Sequence, residues 1–180
     1  MISLGLDIGG TKIAIAYLED DGKLQGFKKV NTASVFSLGE NAAASLNIFI
    51  TKYIAANNID KNLIRGVGIG VPSVLDSHTG VVVSTPYIPQ LDHMPLSKLL
   101  SPKLSLPVYV ENDVNLIALG EHQYGRGKGI KNLACVFVGT GLGCGLILNN
   151  QLYTGADGGA AEFGHMIYEP EGRLCGCGAK

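Results

Sequence analysis

The sequence contains no tryptophan, and aromatic residues occupy only 7% of its 180 positions. Charged residues are scarce at 16%, and acids and bases nearly cancel to a formal net charge of −1. The only basic run, "GRGKGIK" at Gly125–Lys131, is typical of a solvated loop. Because no basic stripe or patch is visible, we expect no nucleic-acid partner.

Long apolar runs are also absent, and no segment reaches the length needed to span a bilayer. The opening "MISLGLDIGG" has no basic n-region and reaches Asp7 early, so a signal peptide is not expected. Cysteine is limited to four residues. Cys135 and Cys144 lie in apolar, strand-like runs and are predicted to be buried thiols, whereas Cys175 and Cys177 are too close for an easy mutual disulfide. This usage predicts a reducing, cytoplasmic location.

Glycine and apolar residues are abundant, with 25 glycines and 46% hydrophobic residues, so a packed core is easily supplied. Residues Ile2–Ile8 and Lys12–Leu18 alternate as strands do, and "DDGK" at Asp20–Lys23 is a hairpin signal. With a third strand at Leu24–Val30, the chain is predicted to open as an antiparallel meander.

Helices and strands then alternate, which indicates an α/β domain. The first helix follows a capping-box pattern, "SLGE" at Ser37–Glu40, and should end near Asn57–Asp60. The later predictions are strands at Ile64–Ser73, Val81–Ser84 and Pro107–Asp113, and helices at Leu96–Leu100 and Asn115–Gly125.

The opening pattern returns near the end of the chain. "NLACVFVGTGLGCGLILNNQLYTG" at Asn132–Gly155 again reads strand, Gly-Thr bend, strand and polar turn. This similarity indicates an internal duplication. We therefore predict two lobes, an N-terminal lobe at 1–131 and the beginning of a second lobe at 132–180.

Both bends offer backbone N–H groups that no Cβ shields, an arrangement that binds anionic oxygens. Thr11 and Thr140 add hydroxyls, Lys12 adds charge, and Asp7 is suited to a hydrated metal ion. Each bend alone reads equally well as a tight hairpin, but two copies favour phosphate. A Walker A motif is absent, and "GTGLGC" lacks the third glycine and the following helix of a Rossmann site. The predicted phosphate and Mg²⁺ residues are Asp7, Gly9, Gly10, Thr11, Lys12, Gly139, Thr140 and Gly141.

Six phrases occur in order along the chain: "LDIGGTK", "GVGIGVP", "ENDVN", "GTGLGCG", "GAAEFGH" and "CGCG". Together they resemble the ROK family (repressor, open reading frame, kinase), whose members include glucokinases, N-acetylhexosamine kinases and allose kinases. The resemblance covers essentially the whole chain. It implies an actin-like ATPase (ribonuclease H-like) fold and ATP-dependent phosphorylation of a hexose or hexose derivative with Mg²⁺. It also implies a homodimer when full length.

The resemblance assigns roles to four polar residues. Asp113 is expected to be the general base that accepts the sugar hydroxyl proton, and Asn112 to bind the sugar. Glu162 and His165 are expected to bind sugar hydroxyls as well. Read without the family, Asn112 or Asp113 is suited to cap a helix, and Glu162 and His165 could form an ordinary polar helix edge.

Two positions depart from the family pattern. Tyr87 stands where many members have a sugar-contacting Asn, and Ser73 stands where many have Gly. Both positions bear on sugar specificity, so glucose is not assigned as the substrate. The "STP" phrase resembles the allose kinases faintly.

The resemblance also implies a structural zinc on His165, Cys175 and Cys177. The further cysteine of the family pattern is absent before Lys180, so the fourth ligand is missing; the simpler interpretation is two surface thiols. Family members continue for most of another lobe, and we therefore expect this chain to be a fragment or truncated form. The alternatives to a kinase are a sugar-responsive regulator of the same family and a non-catalytic sugar-binding fragment.

Overall fold

The computed structural model describes residues 1–76, 79–139, 141–175 and 177–180. Contacts divide the chain into two compact units, Met1–Asp113 and Val114–Lys180. This division falls before the predicted lobe boundary at 131/132, and the assignment of lobes stays a prediction. No helix in the described ranges has the length and apolar character required to cross a membrane.

The predicted strands and helices occur in their predicted order, and the structure adds a helix at Thr32–Phe36 and strands at Val74–Asp76 and Gln151–Tyr153 that were not predicted. The strands are β1 Ile2–Ile8, β2 Lys12–Glu19, β3 Leu24–Asn31, β4 Ile64–Val71, β5 Val74–Asp76, β6 Val81–Ser84, β7 Val108–Asn112, β8 Leu133–Val138, β9 Leu142–Leu148 and β10 Gln151–Tyr153. The helices are α1 Thr32–Phe36, α2 Ala42–Ala56, α3 Leu96–Leu104 and α4 Asp113–Gln123, with short 3₁₀ turns at Lys61–Leu63, Pro89–Leu91 and Phe163–His165.

The first unit is built on a mixed sheet in the order β3-β2-β1-β4-β7. Strands β1, β2 and β3 form the predicted antiparallel meander, whereas β1, β4 and β7 run parallel. The mixed α/β architecture is therefore confirmed. The parallel arrangement brings the carboxyl ends of β1, β4 and β7 to one edge of the sheet.

One face of this sheet forms the core. Leu6, Ile15 and Ile69 are partners across β1, β2 and β4, and each is almost fully buried. Leu46 and Ile50 of α2 belong to the same buried cluster. Removing each such side chain from water stabilises the fold by about 1.5–3 kcal/mol.

Three helix boundaries differ from the predictions. Helix α2 begins at Ala42 and is capped by Asn41, whose side chain accepts from the Ala44 N–H, so the capping box predicted at Ser37–Glu40 is wrong. Helix α3 continues past Leu100 to Leu104, because Leu104 is buried in the core, and it ends where Ser105 adopts a left-handed conformation. Helix α4 starts at Asp113.

The second unit contains a small antiparallel sheet in the order β10-β9-β8. A Cβ placed on Gly143 or Gly145 would lie 2.8 Å or 2.6 Å from side-chain atoms of Val114 and Ala118, so α4 packs closely on this face of β9. The alternate residues of β9 point to the opposite face. That face carries exposed apolar side chains, including Val138, which is 81% exposed.

The prediction that both strand cysteines are buried was wrong, because Cys135 and Cys144 are only partly buried. Cys144 pairs with Val136 on the open face, whereas Cys135 pairs with Gly145 on the face toward α4. Apolar alternation indicates that one face of a strand can be buried, but burial also requires a second layer of secondary structure packed on that face.

Candidate active site

The first glycine bend joins β1 to β2 and is fixed by hydrogen bonds at both ends. The Gly9 N–H donates to the Lys12 carbonyl at 2.9 Å, which closes the hairpin. Thr32, at the start of α1, donates its hydroxyl to the Gly9 carbonyl at 2.7 Å and its N–H to the Thr11 carbonyl at 3.0 Å. Within the described part of the chain, the N–H groups of Gly10 and Thr11 have no protein acceptor. The bend therefore presents two adjacent donors of the kind that bind anions.

Thr32 is a site residue that sequence reasoning missed. Its N-terminal neighbour Asn31 caps α1 by accepting hydrogen bonds from the N–H groups of Ala33 and Ser34. The pair Asn31-Thr32 after a strand is a helix-start signal that could have located α1. The clamp on the glycine bend could not be found this way, because it joins residues 23 positions apart.

Asp7 lies beside this bend, paired with Ala14 on β2 and Gly70 on β4. Neighbouring groups displace part of its water and raise the pKa of the carboxyl above its ordinary value, and the nearby Lys29 ammonium opposes that rise. A carboxylate at this position, beside an anion-binding bend, is suited to a hydrated metal ion.

Asn112 and Asp113 lie at the same edge of the sheet, where β7 ends and α4 begins. Asn112 is paired with Val71 of β4 and donates from Nδ2 to the Ser73 carbonyl at 3.2 Å. Asp113 occupies the first turn of α4, where the positive end of the helix dipole favours a carboxylate. Ligands of parallel sheets commonly bind outside the carboxyl ends of the strands.

Unit 1 thus brings together residues that the sequence separates by about a hundred positions. The ends of β1, β4 and β7 place Asp7, the Gly9–Thr11 bend, Ser73, Asn112 and Asp113 along one edge. The edge combines an anion-binding bend, a metal-suited carboxylate and a second carboxylate that could serve as a base. This combination matches the needs of phosphoryl transfer to a hydroxyl.

The second glycine bend lies between β8 and β9 in the other unit. The Gly139 N–H donates to the Gly141 carbonyl at 2.9 Å. A Cβ at Gly139 or Gly141 would meet no atom of the described residues within 4 Å, so the space beside both glycines is open. Thr140, the third predicted residue of this bend, lies outside the described residues.

Glu162 and His165 are close neighbours near the 3₁₀ turn Phe163–His165. His165 Nε2 lies 3.7 Å from Glu162 Oε2, and His165 Nδ1 lies 3.5 Å from Cys175 Sγ. The imidazole therefore has one nitrogen toward a carboxylate and the other toward a thiol. Neither Glu162 nor His165 lies in an α-helix.

Cys175 and Cys177 complete a cluster with His165, in which the ligand atoms all lie within 4.8 Å of one another. Hydrogen bonds involving Cys177, and then one with His165, lower the pKa of the Cys175 thiol to about 7. Two soft sulfur atoms and an imidazole are the donor types that zinc prefers. The cluster therefore fits a zinc ion with three of the four ligands that a closed site needs.

The ROK family model matches residues 3–180. The chain belongs to the ROK family. This chain is 37% identical to a glucokinase of Streptomyces coelicolor over 179 residues. The aligned region covers 99% of this chain and 54% of that protein. This chain is also 38% identical to a xylose repressor of Caldicellulosiruptor bescii over 115 residues, or 64% of the chain and 29% of the repressor.

A solved structure agrees with these matches. The crystal structure of a ROK family glucokinase from Streptomyces griseus, in complex with glucose and AMPPNP, aligns with a TM-score of 0.82 at 37% identity. The alignment covers all of the ROK chain and 55% of that protein. The predicted actin-like ATPase fold class is confirmed. The chain spans about half the length of the curated relatives it matches first.

Proposed function

We propose that this protein phosphorylates a hexose or hexose derivative with ATP. The observation that carries the proposal is the single sheet edge that holds the Gly9–Thr11 bend, Asp7 and Asp113. Glucokinase relatives at 37% identity support the same reaction type. Because Tyr87 and Ser73 depart from the family pattern at positions that bear on sugar specificity, the substrate is proposed only as a hexose or hexose derivative.

Each residue at this edge has a proposed role in unit 1. The N–H groups of Gly10 and Thr11 bind phosphate oxygens, with the Gly9 backbone held by Thr32 and with Lys12 adding positive charge. Asp7 holds hydrated Mg²⁺, which when bound neutralises charge on the transferring phosphoryl group. Asp113 accepts the proton of the attacking sugar hydroxyl, and Asn112 hydrogen-bonds the sugar.

The second unit has proposed roles of its own. Gly139, Thr140 and Gly141 form a further phosphate-binding bend, for which the open space beside both glycines is the support. Glu162 and His165 bind sugar hydroxyls. A polyol presents donors and acceptors together, and a carboxylate beside an imidazole can satisfy both.

Zinc on His165, Cys175 and Cys177 is proposed as a structural ion that holds the 162–177 segment. His165 would use Nδ1 toward the cysteines, since that nitrogen is the one near Cys175. Its Nε2–H group, whose nitrogen lies 3.7 Å from Glu162 Oε2, would then remain to donate to a sugar hydroxyl. In this arrangement the zinc holds the imidazole beside the sugar-binding carboxylate of Glu162.

Turnover with a panel of hexoses and N-acetylhexosamines tests the kinase. The protein should release ADP with at least one sugar, and Asp113→Asn should lower kcat by about 10²–10⁴-fold, the usual contribution of a general base. Asp21→Asn is the matched control, because Asp21 lies in the exposed β2–β3 turn. Equal rates for Asp113→Asn and the wild type would remove Asp113 from the mechanism.

A sugar-responsive regulator is the second candidate, favoured by the match to the xylose repressor. Absence of turnover together with DNA retention that changes on adding xylose or a hexose would establish it. Sugar binding by calorimetry, without turnover or DNA retention, would instead indicate a sugar-binding module.

A further inference from the structure

Gly10 makes an unusually close backbone contact with the loop that follows β6. A Cβ at Gly10 would lie 2.8 Å from the Cβ of Tyr87 and 3.2 Å from the Tyr87 carbonyl oxygen. Real Cβ atoms essentially never approach as closely as 2.8 Å, so any larger residue at position 10 must displace the bend or the loop. Gly139 and Gly141 of the second bend have no such neighbour among the described residues.

The loop that carries Tyr87 is anchored on both sides. Ile88 and Leu91 are buried in the core at 1% and 0% exposure. The Thr85 N–H donates to Asp92 Oδ1 at 2.7 Å, which ties the start of the loop to its end. Pro86 and Pro89 further restrict the backbone. The loop therefore cannot easily move away from Gly10.

Tyr87 itself is not a core residue, since its side chain is 56% exposed. A large aromatic residue held at the surface against a glycine bend is not explained by core burial. Thr32 holds the carbonyl side of the bend and Tyr87 lies against Gly10, while the N–H groups of Gly10 and Thr11 have no acceptor among the described residues.

We propose that Tyr87 is a positioning residue that holds the Gly9–Thr11 bend in its phosphate-binding conformation. This inference rests on the proposed kinase function. Position 10 is then glycine because Tyr87 packs against it, and the identity of residue 87 affects use of ATP as well as the sugar. The contact involves the Tyr87 backbone, Cβ and ring base, so the phenolic hydroxyl is not required.

A double-mutant cycle in the protein tests the proposal through the KM for ATP. Gly10→Ala should raise this KM by about 10- to 100-fold, because displacing a positioning group by about 1 Å can cost that much. Tyr87→Gly should raise it as well, by removing the support of the bend. The combined Gly10→Ala, Tyr87→Gly variant should bind ATP better than Gly10→Ala alone, since the 2.8 Å contact between the added methyl group and the Tyr87 Cβ is then removed.

Two further variants separate positioning from general damage. Tyr87→Phe should retain the KM for ATP that Tyr87→Gly loses. Gly5→Ala is the matched control in β1, because a Cβ there meets no atom of the described part of the chain within 4 Å. Thermal unfolding of all variants shows whether each is folded, and calorimetry with ATP provides a readout independent of turnover.

The outcomes are distinguishable. If the wild type phosphorylates no sugar and binds no ATP, the proposed function and this inference both fail. If the wild type phosphorylates a sugar, but the KM increase of the double variant equals the product of the two single-variant increases, the positioning role of Tyr87 is overturned. The proposed kinase function is then unaffected. A KM for ATP in Tyr87→Gly equal to the wild-type value would also overturn the positioning role.

Discussion

The cysteines show how residue chemistry differs within one chain. Hydrogen bonds involving Cys177 and His165 lower the pKa of Cys175 to about 7. Partial burial instead raises the pKa values of Cys135 and Cys144. Thiolate is both the nucleophile and the metal ligand, so Cys175 is the better prepared of the three for either role.

Alkylation measures this difference directly. A thiol with a pKa near 7 is about half ionised at neutral pH, whereas thiols with raised pKa values are almost wholly protonated. Iodoacetamide at pH 7 should therefore modify Cys175 faster than Cys135 or Cys144, and the Cys175 rate should rise with a midpoint near pH 7. Peptide mass spectrometry measures the extent of alkylation at each cysteine.

Zinc provides the control for this prediction. One equivalent of Zn²⁺ should protect Cys175 and leave the slow rates of Cys135 and Cys144 unchanged. Equal protection in a His165→Ala variant would argue against His165 as a ligand.

At the scale of elements, local patterns located most strands and helices but not every boundary. Helix α2 was expected from the apolar spacing that includes Leu46, Phe49, Ile50 and Tyr53, all of which are buried. Its start was misassigned because "SLGE" and Asn41 both resemble cap signals. The Ser45 hydroxyl lies 3.1 Å from the Phe36 carbonyl and accepts from the Gly39 N–H, so the 37–41 segment folds back on the helix instead of entering it.

Two substitutions distinguish a helix α2 capped by Asn41 from one that begins with the capping box at Ser37–Glu40. Asn41→Ala should lower the free energy of unfolding by about 1 kcal/mol, the usual cost of a lost N-cap. Glu40→Ala should change it by less than about 0.5 kcal/mol, because Glu40 is not the capping residue. Urea unfolding at equilibrium measures both. A larger loss in Glu40→Ala than in Asn41→Ala would restore the capping box that the structure contradicts.

At the scale of the whole molecule, the two units differ in how well they cover their sheets. The mixed sheet of unit 1 has a continuous buried cluster on one face. The small sheet of unit 2 has α4 on one face and apolar side chains in solvent on the other. These exposed residues are Val136, Val138, Leu142, Leu148 and Tyr153. Contiguous apolar surface of this kind promotes association.

The 180-residue chain should accordingly bind a hydrophobic dye and self-associate as its concentration rises. Replacing Val136 and Val138 together by Thr keeps β-branched side chains but should reduce both effects. Val83→Thr, at a partly exposed valine in β6, is the matched control and should change neither. Dye fluorescence measures the first effect and sedimentation velocity the second. Dye binding by the Val136/Val138 variant equal to that of the wild type would show that the dye binds another surface.

The sequence by itself determined the antiparallel opening, both glycine bends, most helices and the family. Strand alternation, turn residues and short motifs are local signals, so they can be recognised without knowledge of the fold. The tertiary structure alone decided that the ends of β1, β4 and β7 share an edge, that Thr32 holds the first bend, and that Tyr87 packs on Gly10. These contacts join residues far apart in the chain. Packing between distant segments leaves no periodic pattern in the local sequence from which it could be predicted.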